Sequence, residues 1–538
     1  MKQDITFLDC TLRDGGYYNN WNFKIDLIEK YLNVMSEIKV DYVEIGFRSL
    51  DKKEFRGACA YSTDEFVKSL KIPKNLKIAV MVNASELIKY SNNKNNFAVV
   101  KNLFKNRKEN KIKLVRIASH YSEISKVMPL ASKIKSLGYK VAINLMQSSD
   151  RTNSEIEEFC RLAKKFKIDV LYFADSTGSL NKDHTIKIVN SLKNNWKGDL
   201  GIHAHDNMDK AMENSIAAIE NGVNWIDSTV LGMGRGPGNV KTENLIIEFE
   251  KKFKNKVNYT NLLKLVEEEF MPMKNKFKWG SNPYYYLSGL HGIHPSFIQG
   301  MLEANSFSCV EILAVIDSLK TVGGKKFSKD LIKTYRQNYS GKSKGSFVPS
   351  RSLKNKNVLI LGSGPGVKEH KLALENFIKK FKPFVIALNT QKTINPKLIN
   401  VRAVCNTLRL LTDHKSFKYL PQKLVMPYQR LSQSIKDKFR NVKKLDFGVE
   451  VKNNTFKFKK SSATIPNTLA ISYALAISNS GNAKTIYLAG FDGYNAEDPK
   501  RREMDELLIL YQSLKKKSEL VSITPTKYKV KSVSVYAF

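Results

Sequence analysis

The residues in this chain best suited to chemistry are two histidines two positions apart, in the stretch Leu200-Gly201-Ile202-His203-Ala204-His205-Asp206. The stretch reads as a short buried strand. On a strand, residues two apart point to the same face, so His203 and His205 can reach one metal ion together. Taken alone, a His-x-His pair is either a ligand pair or a packed polar strand end. A nearby carboxylate, an open coordination position and a scaffold that joins them would decide for the first.

The elements that would carry the pair recur along residues 1–250. Apolar runs at 5–14, 42–48, 76–83, 114–119, 141–147, 170–177, 200–207 and 225–232 are β-branched-rich or continuously apolar, as parallel strands covered on both faces must be. The segments between them, such as 24–38 and 207–221, carry apolar residues at helical spacing. Eight such units predict an α/β (β/α)₈ TIM barrel, with an open doubly wound sheet as the alternative. A barrel places its reactive groups at the carboxyl edge of its strands. Arg13 and Asp14 close the first run, Glu44 and Arg48 the second, and Asn83 the third. Ser119 and His120 follow the fourth, Asn144 and Gln147 lie on the fifth, and Asp175, Ser176 and Thr177 close the sixth. Lys113 and Lys140 stand at the opposite edge.

Asp14 supplies the carboxylate the histidines need. Two imidazoles and a carboxylate with open positions suit a divalent ion, Mn²⁺ or Mg²⁺ foremost. After the eighth run comes Gly232-Met233-Gly234-Arg235-Gly236-Pro237-Gly238-Asn239, a loop whose backbone can approach a ligand closely. Asn239 can add an amide oxygen to the ion, and Arg235 favours an anion. Arg13, a permanent planar cation beside Asp14, can stabilise an enolate oxygen or bridge to Glu44 across the barrel mouth. None of the eight runs presents a lysine at its exit, which leaves Schiff-base chemistry without an obvious nucleophile.

Thr11-Leu12-Arg13-Asp14-Gly15, His203-Ala204-His205-Asp206-Asn207 and the glycine-rich loop ending at Asn239 resemble the DRE-type TIM-barrel metallolyases, the HMGL-like enzymes. Within that family, Ser215-Ile216-Ala217-Ala218-Ile219-Glu220-Asn221-Gly222 together with these motifs looks most like the 4-hydroxy-2-oxovalerate (pyruvate) aldolases. The resemblance implies that Asp14, His203 and His205 bind the ion and that Arg13 stabilises the enolate. Glu44 and Asn239 match positions used by the acyl-CoA lyases of the family. The pyruvate aldolases carry an acid/base histidine shortly after Arg-Asp-Gly. Here the stretch is Gly15-Gly16-Tyr17-Tyr18-Asn19-Asn20-Trp21, so Tyr17 or Tyr18 either relays the proton or packs against substrate.

Residues 251–340 read as a helical extension, with helical spacing at 259–277 and 305–322. Trp279-Gly280-Ser281-Asn282-Pro283-Tyr284-Tyr285-Tyr286 and Ser288-Gly289-Leu290-His291-Gly292-Ile293-His294-Pro295 interrupt that pattern. This segment is expected to cover the barrel mouth, where His291 or His294 would take the place of the missing acid/base, or else to cap and pack a helix. Residues 341–355 read as a linker.

Residues 356–538 open with Val358-Leu359-Ile360-Leu361-Gly362-Ser363-Gly364-Pro365-Gly366, a strand entering a glycine turn, as in Rossmann-like nucleotide-binding domains. Pro365 after the second glycine, with no third glycine at the expected place, favours a nucleotide or nucleotide sugar over a dinucleotide. A helix is expected at 467–478 and a strand at 485–492. The order of Gly-Ser-Gly-Pro, Ser461-Ser462-Ala463-Thr464 and Ile486 to Tyr494 is distantly similar to bacterial sialyltransferases, although their C-terminal catalytic histidine has no counterpart after His414. That resemblance makes Ser363, Gly364, Thr464 and Asp492 the nucleotide-site candidates.

With 89 Lys and Arg against 51 Asp and Glu, the chain carries a formal charge of +38. Lysine dominates and is spread along helical stretches beside asparagine, without the Arg-aromatic block of a nucleic-acid surface. No run approaches a membrane span, and the five scattered cysteines form no Cys-x-x-Cys pair, so a cytoplasmic protein without a disulfide framework is expected. The expected activity is a metal-dependent aldolase acting through a 2-oxoacid enolate, with a carbohydrate aldehyde as partner substrate and a homo-oligomeric assembly. An acyl-CoA-dependent Claisen enzyme, or a glycosyltransferase with the barrel as scaffold, is the alternative.

Overall fold

Eight parallel strands close on themselves in chain order: β1 (Thr6–Asp9), β2 (Tyr42–Phe47), β3 (Lys77–Asn83), β4 (Ile112–Ser119), β5 (Lys140–Leu145), β6 (Val170–Asp175), β7 (Asp199–Ala204) and β8 (Trp225–Ser228). Leu8 pairs with Tyr42 on β2, and Thr6 pairs with Trp225 on β8, which seals the barrel between its first and last strands. The computed structural model describes residues 5–52, 54–91, 97–253, 257–303, 309–322, 343–495 and 498–538, with Phe307 and Gly324.

The strands are apolar on both faces because each faces two cores. Outward residues meet amphipathic helices such as Ile25–Glu37, which buries Ile28, Tyr31, Leu32 and Met35 at helical spacing. Inward residues form a separate layer of Leu8, Tyr42, Ala79, Leu114, Ala142, Val170, Tyr172 and Trp225. Strand alternation then puts polar residues directly above that layer: Glu44 above Tyr42, Arg116 above Leu114, Asn144 above Ala142 and Asp227 above Trp225. The apolar plug thus becomes the floor of a polar chamber. Gly201 belongs to the same level, since a Cβ there would stand 2.4 Å from the Tyr172 ring.

The strand ends differ in detail from expectation. The first run is not one strand: β1 stops at Asp9, and Thr11–Asp14 is a helical turn pinned from below by Asp9. The Asp9 carboxylate accepts from the Thr11 amide at 2.8 Å and from the hydroxyls of Thr11, Thr242 and Tyr31. The predicted helices at 24–38 and 207–221 are Ile25–Glu37 and Ala211–Glu220.

The chain divides into two units, Met1–Gln299 with Leu319–Phe327, and Gly300–Ser318 with Ser328–Phe538. In the first, the stretch 259–277 is helical as Thr260–Leu265, Val266–Phe270 and Met271–Phe277. The tyrosine-rich segment, expected as an interruption, instead forms the helix Pro283–Leu290, because the Asn282 side chain caps it by accepting the amides of Tyr284 and Tyr285. The predicted helix at 305–322 is seen from Cys309 to Val322; residues 305, 306 and 308 lie outside the described residues.

The second unit is built on an eight-stranded parallel sheet with a three-stranded sheet beside it. Its strands are β9 (Val358–Leu361), β10 (Phe384–Leu388), β11 (Val401–Ala403), β12 (Lys423–Met426), β13 (Lys444–Asp446), β14 (Gly448–Val451), β15 (Lys457–Phe458), β16 (Ser462–Ile465), β17 (Thr485–Ala489), β18 (Glu519–Ser522) and β19 (Lys531–Ser532). The large sheet runs β13-β12-β11-β10-β9-β17-β18-β19 and the small one β14-β16-β15. Between β16 and β17 lies the helix Ala470–Ser480, whose predicted position was 467–478. Of the expected linker at 341–355, the described residues 343–355 pack into this unit instead. Gly345 donates to Ser461 and Phe347 to Asp446, while Leu353 is fully buried in the helix Ser350–Leu353. Among the described residues no helix is long and apolar enough to cross a membrane.

Candidate metal centre and active site

Asp14, His203 and His205 come together at the carboxyl rim of the barrel, each offering a ligand atom, with those atoms within 4.8 Å of one another. Asp14 arrives on the pinned turn after β1 and His203 on β7. His205 lies one residue beyond the strand and forms a bridge with Asn239. That bridge explains the glycine-rich loop. The Asp206 amide donates to Gly238, and a Cβ on Gly238 (φ +81°) would stand 2.1 Å from the Gly232 carbonyl. Only glycine lets the loop fold back so tightly and deliver Asn239 to the histidines.

The electrostatics favour this set as a cation site. His203 Nε2 lies 3.3 Å from Asp14, and its Nδ1 lies 2.8 Å from Asp227. Burial opposes protonation of His203, but its hydrogen bonds to Asp14 and Asp227 raise its pKa above the ordinary value. Burial likewise opposes ionisation of Asp14, yet Arg13, His203 and His205 together hold its carboxyl far below the usual range. His205 is pushed down to about 3, by burial first and then by His203. The result is a carboxylate, a neutral imidazole and a histidine backed by a carboxylate. A divalent ion would replace the protons and charges that now balance there. The buried His205 Nδ1 and Asn239 Oδ1 have no hydrogen-bond partner, so the chamber holds donor atoms that the protein leaves unsatisfied. The residues present therefore fit a divalent ion. Cys10, His203 and Asp227 form a second close set, but burial keeps the Cys10 thiol protonated and Arg116 engages Asp227.

Arg13 is held at two of its nitrogens. Its Nε donates to Glu44 at 2.7 Å and its Nη1 to Asp14, while Nη2 is buried without a partner. The Trp21 indole fixes the same turn by donating to the Arg13 carbonyl at 2.8 Å. Two residues that the sequence reading did not single out complete the chamber. Arg116 on β4, fully buried, reaches Asn144 at 3.3 Å, Glu44 at 3.3 Å and Asp227 at 2.5 Å, and its guanidinium sits 4.3 Å from the Tyr172 ring centre. The signal that could have found Arg116 and Asp227 is a charge inside an otherwise apolar strand.

Around this centre the other candidates take different places. Tyr17 lies at the rim under the Arg235 guanidinium, 3.9 Å from its ring centre, and packs edge-on to Trp21. His294 lies at the start of the helix Pro295–Glu303, close enough to Arg235, His120 and His205 to feel their charge. Burial, then Arg235, lowers its imidazole to about 3. His291 does not join the cluster, because it follows the end of the helix Pro283–Leu290 on an exposed turn. The extension that carries His294 is tied to the rim loops. Trp279 donates to Leu231, Gly280 to Gly236, Asn207 to Ser288 and Ser281 to Asn207. Asp175 serves its own loop, accepting the amides of Ser179 and Leu180, and burial raises its carboxyl to about 6.

In the second unit, Ser363, Gly364 and Asp492 line one pocket. Thr464 is not among its lining residues. It lies on β16, the central strand of the small sheet, where its hydroxyl donates to Glu450 at 3.4 Å.

Comparison with known proteins agrees with the barrel. The HMGL-like family model matches residues 4–268. A 4-hydroxy-2-oxovalerate aldolase from Geobacillus thermodenitrificans is 26% identical over 332 residues, covering 60% of this chain and 93% of that protein. An oxaloacetate decarboxylase from Mycobacterium tuberculosis is 22% identical over 313 residues, covering 57% and 89%. Among solved structures, the N-terminal domain of a candidate aldolase from Bacteroides vulgatus is 30% identical with a TM-score of 0.50, covering 56% of this chain and 97% of that one.

Proposed function

The chain belongs to the HMGL-like family, and on that premise we propose that its barrel is a divalent-metal-dependent carbon–carbon lyase working through a pyruvate-type enolate. The observation that carries the reading is the meeting of Asp14, His203 and His205 at the strand-end rim, with the unpartnered Nη2 of Arg13 beside them. The names of the relatives point the same way, since retro-aldol cleavage of a 4-hydroxy-2-oxoacid and decarboxylation of oxaloacetate both release the pyruvate enolate.

Asp14, His203 and His205 would hold the ion, with Asn239 Oδ1 as a further oxygen donor. Two imidazoles suit Mn²⁺ better than Mg²⁺, which prefers oxygen ligands. When bound, the ion supplies Lewis-acid polarisation of the 2-oxoacid carbonyl. Arg13, fixed by Glu44 and Asp14, directs Nη2 at the oxygen on which negative charge develops. His294 is the group proposed to accept and return the proton of the aldol hydroxyl in place of the histidine missing after Gly15, which requires bound substrate to raise its imidazole from about 3. Arg235, braced on Tyr17, binds the anionic end of the substrate. The second unit is read as a nucleotide or nucleotide-sugar module, which makes a carbohydrate aldehyde the partner substrate.

The test is proton exchange at C3 of pyruvate in D₂O, followed by NMR. Mn²⁺-dependent exchange that is abolished by chelation and by Asp14→Asn is expected. Exchange independent of metal, or unaltered in Asp14→Asn, would refute the reading.

A further inference from the structure

The second unit has a pocket where the winding of its sheet reverses. From β9 the chain steps outward through β10 to β13, and from β17 it steps the other way through β18 and β19, with β9 and β17 paired. Such a switch point leaves a crevice beyond the carboxyl ends of the two strands. Here the crevice encloses about 470 Å³, lined by residues 362–365 after β9, Asn389 after β10, Arg409 and residues 490–494 after β17.

The glycine turn after β9 is not open to a phosphate. The Gly362 amide donates to Ala489, that of Gly364 to Gly490, and that of Gly366 to Asp492 Oδ1 at 2.9 Å. A Cβ on Gly364 would stand 2.0 Å from Asp492 Oδ2, so the carboxylate lies against the turn where a phosphate would rest. The three glycine amides of the turn are engaged, and a like charge guards them.

The pocket offers other groups. Asp492 Oδ2 and Asn389 Oδ1 are buried acceptors without a hydrogen-bond partner. Buried acceptors call for donors. Arg409 lines the same pocket half-buried, and among the described residues its guanidinium has no ion pair or hydrogen bond. A lone guanidinium in a crevice calls for an anion. We infer that this pocket binds a phosphorylated sugar, its phosphate on Arg409 and its hydroxyls donating to Asp492 and Asn389. The inference rests on the nucleotide reading of this unit and specifies its geometry. A nucleotide and a free sugar phosphate share the required chemistry.

Isothermal titration of the full chain with CMP, ribose 5-phosphate and cytidine tests it. CMP or ribose 5-phosphate binding is expected, and whichever is tighter names the source. Arg409→Ala should weaken phosphate-bearing probes at least tenfold and leave cytidine unchanged, with partial recovery in Arg409→Lys. Asp492→Asn should weaken all the probes that bind. If phosphate lies in the glycine turn instead, Asp492→Asn tightens CMP and Arg409→Ala does little. That outcome overturns the geometry while the nucleotide reading stands. No binding of CMP or ribose 5-phosphate refutes both. Pyruvate exchange by the barrel and an unchanged circular dichroism spectrum control for folding, and Arg409→Gln replaces any variant that fails them.

Discussion

Arg116 on β4 and Asp227 on β8, 111 residues apart in the chain, meet inside the barrel at 2.5 Å. The Asp227 oxygen in that pair also lies 2.8 Å from His203 Nδ1, and Arg116 reaches Glu44, the residue that holds Arg13. One guanidinium therefore sets both the backing of a candidate ligand and the anchor of the candidate enolate-stabilising cation. A buried carboxylate behind a histidine fixes the tautomer and orientation of the ring, with Nε2 left to face the ion.

Arg116→Met should destabilise the chain by about 3–5 kcal/mol, because it leaves Asp227 and Glu44 as buried charges with a partner removed. Urea unfolding monitored by circular dichroism measures this. A loss below about 1 kcal/mol would mean that the two carboxylates find compensation elsewhere.

Asp227→Asn is the milder change, since it keeps the shape and a hydrogen bond to one neighbour. Affinity for Mn²⁺ is expected to fall about 10- to 100-fold with the fold intact. Titration calorimetry of the metal-free protein reads the effect directly. Unchanged affinity would show that His203 needs no carboxylate behind it.

Much of this site was readable from residue types, and the misses have physical causes. The eight strands were legible because burial on both faces makes each a nearly unbroken apolar run. The run at 5–14 concealed a strand and a helical turn because the glycines that mark a break come only at Gly15 and Gly16. The metal candidates stood out because they lie at strand ends. Arg116 and Asp227 lie within strands, where an apolar surrounding masks a single charge. The alternation Tyr42-x-Glu44, Leu114-x-Arg116, Ala142-x-Asn144 and Trp225-x-Asp227 was the available signal, one polar layer set on one apolar layer. His291 and His294 could not be separated by spacing, since the turn joining their helices decides which faces the rim. Thr464 was carried by motif order alone, and order along the chain does not specify which sheet a strand joins.

His294 should make stability depend on pH in a defined window. Its folded pKa of about 3 lies below the ordinary histidine value of 6.5, so between these limits the unfolded chain holds the extra proton. The contribution is fully favourable above pH 6.5 and declines as pH falls toward 3. Urea unfolding of the metal-free protein, compared with His294→Gln across that range, isolates the effect. The variant should lose less stability on acidification, and parallel curves would place His294 in solvent.

Arg13→Lys tests the candidate enolate-stabilising group itself. Arg13 spends Nε on Glu44 and Nη1 on Asp14, which leaves Nη2 buried and free to aim at substrate. A lysine ammonium keeps the charge but cannot hold two carboxylates and still project a third donor in a fixed plane. The rate of pyruvate C3 exchange should fall by about 10²–10³, the typical loss for a preorganised donor at a developing oxyanion. Mn²⁺ affinity should stay close to that of the parent, because Asp14, His203 and His205 are all retained. That pairing separates the two roles, since a merely structural Arg13 would disturb Asp14 and lower metal affinity along with the rate. Exchange within threefold of the parent would remove Arg13 from the chemistry and leave it as the clasp between the first two strands.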